Sequence, residues 1–196
     1  MSQIKLLHSG GNGVILSAPD SNPASDRTLK LPGDADGTIA TTATAGKILQ
    51  VIYVQKTDTF SSSSGSWVDV TGLTADITMT SSSNKVLVIC HVSGLNDATT
   101  GSGLGIDRGG SFVGLPQSGY GNRQNVMGGE FYEDRQDSFR VQSFTFLDTP
   151  GSGTHTYKIK AMPKSQALYI NRSASDGNSS DFCRGTIDLT LMEVAA

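Results

Sequence analysis

Ala75-Asp76-Ile77-Thr78-Met79-Thr80, broken by Ser81-Ser82-Ser83-Asn84 and resumed at Val86-Leu87-Val88-Ile89-Cys90, is the stretch that decides the fold class. Its first part alternates apolar and polar side chains with period two, which puts one dry and one wet face on a β-strand. The same period returns at Tyr157-Lys158-Ile159-Lys160-Ala161 and at Ile187-Asp188-Leu189-Thr190-Leu191. Turn-forming clusters separate these runs, among them Ser61-Ser62-Ser63-Ser64-Gly65, Pro150-Gly151-Ser152-Gly153 and the segment from Ser173 to Ser180. Arg108-Gly109-Gly110-Ser111, between Leu104-Gly105-Ile106 and Phe112-Val113-Gly114, predicts a tight hairpin. About eight to ten strands after Gly46, with no window carrying a helical stripe, predict an all-β antiparallel sandwich of jelly-roll-like kind over 47–196.

Three segments depart from simple alternation. Residues 47–56, 84–93 and 138–147 are apolar on both parities in part, as in Ile48-Leu49-Gln50-Val51-Ile52-Tyr53-Val54 and Phe144-Thr145-Phe146-Leu147. Such strands belong at the centre of a sheet or against a neighbouring subunit. Trp67, the single tryptophan, sits in strand-like Trp67-Val68-Asp69-Val70 and is expected in the core or at a subunit boundary.

Residues 1–46 read as an extended N-terminal arm. Val14-Ile15-Leu16 and Leu29-Lys30-Leu31 are short apolar runs among Gly, Asn, Asp, Ser and Pro, and two isolated strands bury too little surface to be stable in water. The arm is therefore expected to be completed by something else, with Val14, Ile15, Leu16, Leu29 and Leu31 as its attachment residues.

Composition narrows the function classes. Lys and Arg number 15 against 18 Asp and Glu, a net charge of -3 without a basic block, so nucleic acid is not the expected partner. The apolar runs fall short of a membrane span, and no signal-peptide core is expected at the start. Cys90 and Cys183 lack CxxC or histidine neighbours and are expected as buried free thiols rather than metal ligands or a disulfide. His8, His91 and His155 are scattered, and neither a nucleophile beside a base nor a pair of acids is apparent, so no catalytic residue, metal or cofactor is assigned. Gly10-Gly11-Asn12-Gly13 lacks the Lys-Ser/Thr of a phosphate loop, and Asp34-Ala35-Asp36-Gly37-Thr38 reaches Ala45 where a calcium loop needs a bidentate Glu. Both read as turns.

The longest unpatterned stretch, Leu115 to Asp137, mixes Tyr120, Arg123, Phe131, Tyr132 and Arg135 with glycines. Arg and aromatic side chains concentrate contact energy, so these five are the candidate partner-binding residues. A loop packed on its own or a neighbour's sheet is the plainer reading of the same composition.

Two stretches carry a family likeness. Gly13-Val14-Ile15-Leu16-Ser17-Ala18-Pro19, with Asp26-Arg27-Thr28-Leu29-Lys30-Leu31-Pro32 and Asp34-Ala35-Asp36-Gly37-Thr38, resembles the arm of structural proteins of tailed bacteriophages. Gly46-Lys47-Ile48-Leu49-Gln50-Val51, Ser66-Trp67-Val68-Asp69-Val70-Thr71-Gly72-Leu73, Phe146-Leu147-Asp148-Thr149-Pro150 and Leu191-Met192-Glu193-Val194 resemble the β-rich module beside such arms. The resemblance implies a noncatalytic virion protein, made in the host cytoplasm and homotrimeric, with the arm as anchor on other virion proteins and the sandwich displayed, for instance toward a host surface glycan. A short tail fibre or adhesin is the leading expectation. A capsid decoration protein competes with it, because no shaft repeats separate arm from module. A carbohydrate-binding module is a further alternative, and a depolymerase has the least support.

Overall fold

The computed structural model describes residues 3–7, 10–11, 13–17, 47–97, 101–116, 121–130, 137–164 and 166–196, of which 3–7, 13–17, 96, 97 and 130 as backbone only. The chain divides into two compact units, 1–45 and 46–196.

In the first unit, β1 (Gln3–Leu7) and β2 (Gly13–Ser17) pair antiparallel, from Gln3 opposite Ser17 to Leu7 opposite Gly13. Backbone groups along 13–17 thus find partners inside the unit, from Ile4-Lys5-Leu6, a strand the sequence reading overlooked. Val14, Ile15 and Leu16 lie on β2, whereas Leu29 and Leu31 lie outside the described residues.

The second unit is an antiparallel β-sandwich without a helix among its described residues. Its strands are β3 (Ile48–Lys56), β4 (Phe60–Ser62), β5 (Val68–Met79), β6 (Lys85–Asp97), β7 (Ser102–Arg108), β8 (Ser111–Val113), β9 (Gly128–Glu130), β10 (Arg140–Asp148), β11 (Gly153–Pro163), β12 (Leu168–Ile170) and β13 (Ile187–Val194). One sheet runs β3-β13-β6-β10, with β12 and β4 continuing from the far end of β6. The other runs β5-β11-β7-β8, with β9 also on β7. The chain crosses between sheets from β5 to β6, from β6 to β7 and from β10 to β11, which is the wrapping of a jelly roll.

The core is built from the inward parity of each strand. Ile77 on β5, Val88 and Val92 on β6, Ile159 on β11 and Leu189 and Leu191 on β13 are all essentially inaccessible. At Gly72, with φ of 86°, β5 bulges, and the register against β11 slips between Lys158 and Lys160. Val70 and Leu73 thereby both point inward although three residues apart, because β5 takes five steps from Asp69 to Thr74 against two on β11, and an odd excess flips the parity. The expected hairpin is present: Arg108 pairs with Ser111 around Gly109 and Gly110, both at positive φ, as a two-residue primed turn requires.

Asp148 on β10 ties the two sheets together. Its Oδ2 accepts from Arg108 Nη1 at 2.5 Å and from Tyr157 Oη at 2.8 Å, both from the opposite sheet. Burial, together with the Asp148 carboxylate, pushes the Tyr157 hydroxyl well above its ordinary range, so it stays a donor.

Several local expectations differ in the structure. Cys90 is buried, but Cys183 is exposed, because it lies in a surface loop rather than at a strand start. Trp67 is half-buried, its ring 4.6 Å from that of Phe112 on the outer side of β7 rather than in the core. The 115–137 stretch contains a strand, β9, paired with β7.

Candidate interaction surface

The two outer faces of the sandwich differ sharply in chemistry. On the β5-β11 side, Thr78 meets Thr154 and Asp76 meets Thr156 in side-chain hydrogen bonds, and Asp69 pairs with Lys158 and Lys160 at 2.9 and 2.6 Å. That face is polar and self-satisfied.

The outer face of β3-β13-β6-β10 is apolar. The ladder register sets Leu147, Leu87, Met192 and Val51 side by side across all four strands. One step along stand Thr145, Ile89, Thr190 and Tyr53. One step the other way, Val194 pairs with Ile48 on one side and with Lys85 on the other, and a bulge at this end of β3 leaves Leu49 exposed as well. Among the described residues, the large apolar side chains with exposures of 45–61%, namely Ile48, Leu49, Val51, Tyr53, Val141 and Leu147, all belong to β3 and β10. With strands about 4.8 Å apart and same-face rows about 6.8 Å apart, three rows over four strands cover roughly 400 Å². That area, interrupted by Thr145, Thr190 and Lys85, is in the range of the largest apolar patch on a soluble monomer, and such patches are often functional.

β3 and β10 also bound this sheet, each hydrogen-bonded to one described strand. β3 is nine residues long, so it offers a free ladder edge beside the apolar rows.

A fourth row, beyond Thr145 and Tyr53, is polar: Ser143, His91, Asp188 and Gln55 stand in register on the four strands. His91 Nδ1 lies 2.9 Å from Ser143 Oγ. Burial holds the Asp188 carboxyl above the ordinary carboxylate range, an effect the neighbouring His91 partly offsets. Serine, histidine and aspartate in line have the composition of a nucleophilic triad, but they lie on an open pleated face whose strand N–H groups point along the sheet to neighbouring strands. Such a face supplies no converging donors for an oxyanion. The row is a polar border of the apolar patch.

Of the candidate residues read from sequence, Arg123 is exposed in the segment after Gly121 and makes an interaction of its own. Tyr120, Phe131, Tyr132 and Arg135 lie outside the described residues. The apolar face itself was legible as double-parity hydrophobicity in 47–56, 84–93 and 138–147. What the sequence reading missed was that those second parities meet on one surface. Among the described residues no group of three His, Cys, Asp or Glu side chains is arranged to hold a metal ion, and no helix is long and apolar enough to cross a membrane. No family model matches this chain, and no curated protein matches it significantly. The fold defines an antiparallel β-sandwich with one outer face rich in exposed apolar side chains.

Proposed function

We propose that this chain is a noncatalytic virion surface protein that assembles as a homotrimer through the outer face of β3-β13-β6-β10, with the 1–45 unit as its anchor on the particle. The observation that carries the assembly is the run of Leu147, Leu87, Met192 and Val51 across four adjacent strands. A specific interface takes roughly 800 Å² per partner, and these apolar rows supply its centre. Further copies of the chain fit as occupants because β3 places a free strand edge against the same face, and because Lys85 and Asp188 give its two ends opposite charges. The virion assignment is supported by the resemblance of residues 13–38 and of the sandwich motifs to tailed-phage structural proteins. A short fibre is the leading form. Capsid decoration is favoured by the absence of any shaft repeat between Gly37-Thr38 and Gly46-Lys47.

Light scattering on the full chain tests the assembly, with three times the chain mass expected. Tyr53→Lys combined with Leu147→Lys reduces the mass to that of one chain while the circular dichroism stays strand-like. A wild-type chain that runs as a monomer at micromolar concentration defeats the assembly reading. Cryo-electron microscopy of particles tests the assignment: density at the tail supports the fibre, density on the shell supports decoration, and absence of the chain from the particle rejects both.

A further inference from the structure

The segment from Asn171 to Thr186, between β12 and β13, is a long irregular connection held in a single shape by many contacts. Asn171, at φ of 63°, is fully buried, and its Nδ2 donates to the carbonyl oxygens of Lys56 at 3.0 Å and Asp58 at 2.8 Å. Arg172 and Arg184 face each other in an isolated bridge, and Gly185 N donates to Asn171 O at 3.1 Å. Asp176, at φ of 43°, accepts on Oδ2 from Arg172 Nη1 and from Arg184 Nη2, both at 2.8 Å. The Arg172 guanidinium also lies 4.4 Å over the Tyr169 ring. Phe182 packs on Gly177, where a Cβ would come within 2.4 Å of the ring. Non-glycine residues at positive φ persist only where their surroundings over-determine them, and such places cluster at binding sites.

This loop borders an open recess of about 330 Å³, lined by Asp176, Asn178, Ser179, Phe182, Cys183 and Arg184 with Gly177 at the base of Phe182. That volume lies at the small end of ligand sites, which run from about 300 to 1,000 Å³. The lining combines an aromatic ring with planar hydrogen-bonding groups, the combination that holds a sugar ring by its C–H face and its hydroxyls. Its charge is uneven. Two guanidiniums share one oxygen of Asp176, and Arg184 keeps 61% of its side chain in solvent. An Arg fork with donors to spare is suited to bidentate capture of a carboxylate. Asp181 is engaged by Ser179 Oγ at 3.2 Å and is not part of the lining.

We infer that this recess is a binding site for a carboxylated saccharide, with Arg184 as the carboxylate anchor, Phe182 as the ring platform, and Asn178 and Ser179 as hydroxyl partners. The site goes beyond the assembly reading, since none of its residues lies on the apolar face.

Cys183 provides the readout. It is exposed in the lining, while Cys90, the other cysteine, is buried and its thiol is held far above the ordinary range by burial. Iodoacetamide therefore reports on the recess alone. On the full chain, trigalacturonate is expected to slow Cys183 alkylation at least about tenfold at saturation, while a galactose trisaccharide of the same length leaves it within about twofold. Arg184→Lys retains a cation for Asp176 but loses the fork, and is expected to weaken protection about tenfold with an unchanged circular dichroism spectrum. Arg184→Ala serves as the stronger variant. Lack of protection by trigalacturonate overturns the site. Equal protection by the neutral trisaccharide overturns the carboxylate assignment, and equal protection by sodium acetate reduces the recess to a bare anion site. These outcomes are independent of the mass measured by light scattering, so this site and the trimer fail separately.

Discussion

Glu193 Oε1 accepts a hydrogen bond of 2.7 Å from Asn84 Nδ2, joining residues 109 positions apart at one end of the sandwich. The same oxygen accepts from Thr80 N and Thr80 Oγ1, each at 2.8 Å, and Oε2 accepts from Gln50 Nε2 at 2.6 Å. A fully buried carboxylate is costly unless its lone pairs are met. Here donors from β3 and the β5–β6 turn meet those of Glu193 on β13.

That network sets an acid limit on stability. Burial alone would raise the Glu193 carboxyl, but hydrogen bonds from Asn84, Gln50 and Thr80 override it and leave the pKa at about 2. Because the folded value lies below the ordinary 4.5, the contribution is complete above pH 4.5 and is lost as pH falls toward 2. The shift corresponds to about 3 kcal/mol. Urea unfolding at fixed protein concentration is expected to show wild type losing about that much more than Glu193→Gln between pH 6 and pH 2.5. Parallel pH dependences of the two proteins would contradict it.

Parity along β13 separates core from surface. Leu189 faces inward and is fully buried, whereas Met192 is on the outer face beside Leu87 and Val51. Leu189→Ala is expected to cost about 3 kcal/mol by the cavity it opens. In the Tyr53→Lys, Leu147→Lys background, Met192→Ala is expected to cost under about 1 kcal/mol. Chemical denaturation of both variants decides this, and equal costs would mean that the outer face is part of the folded core.

Glycines at positive φ divide by what surrounds them. Gly94, at φ of 83°, has Phe139 Cε2 only 2.4 Å from where a Cβ would stand, whereas Gly109, at φ of 58°, has open space. Gly94→Ala is expected to destabilise by about 3 kcal/mol, through strain and displacement of Phe139. Gly109→Asn is expected to stay within about 0.5 kcal/mol, because Asn enters the left-handed region of a primed turn readily. Thermal melts of the two variants at one concentration check the contrast.

Period-two alternation over 75–80, 157–161 and 187–191 was sufficient to read the all-β class and the inward residues, because side-chain direction in a strand follows from local geometry alone. The Gly-Gly hairpin was legible for the same reason: two residues at positive φ are a local requirement. Trp67 lies outside the core alternative of its expectation because alternation says that a face is covered but not by which layer. Phe112 and the outer side of β7 cover it.

Register across strands was decided only by the tertiary structure. Leu147, Leu87, Met192 and Val51 lie far apart in the chain, and no local signal says that their outward parities share one row. The same holds for Glu193 with Asn84, and for Asp176 between two arginines, where Ser173 to Ser180 read only as a turn. The sequence by itself determined which residues avoid water, through a periodicity that each strand expresses alone. Which of them meet, and so where an apolar outer face and a surface recess arise, depended on pairing between distant strands, whose partners are selected by the packing of the whole sandwich rather than by any segment.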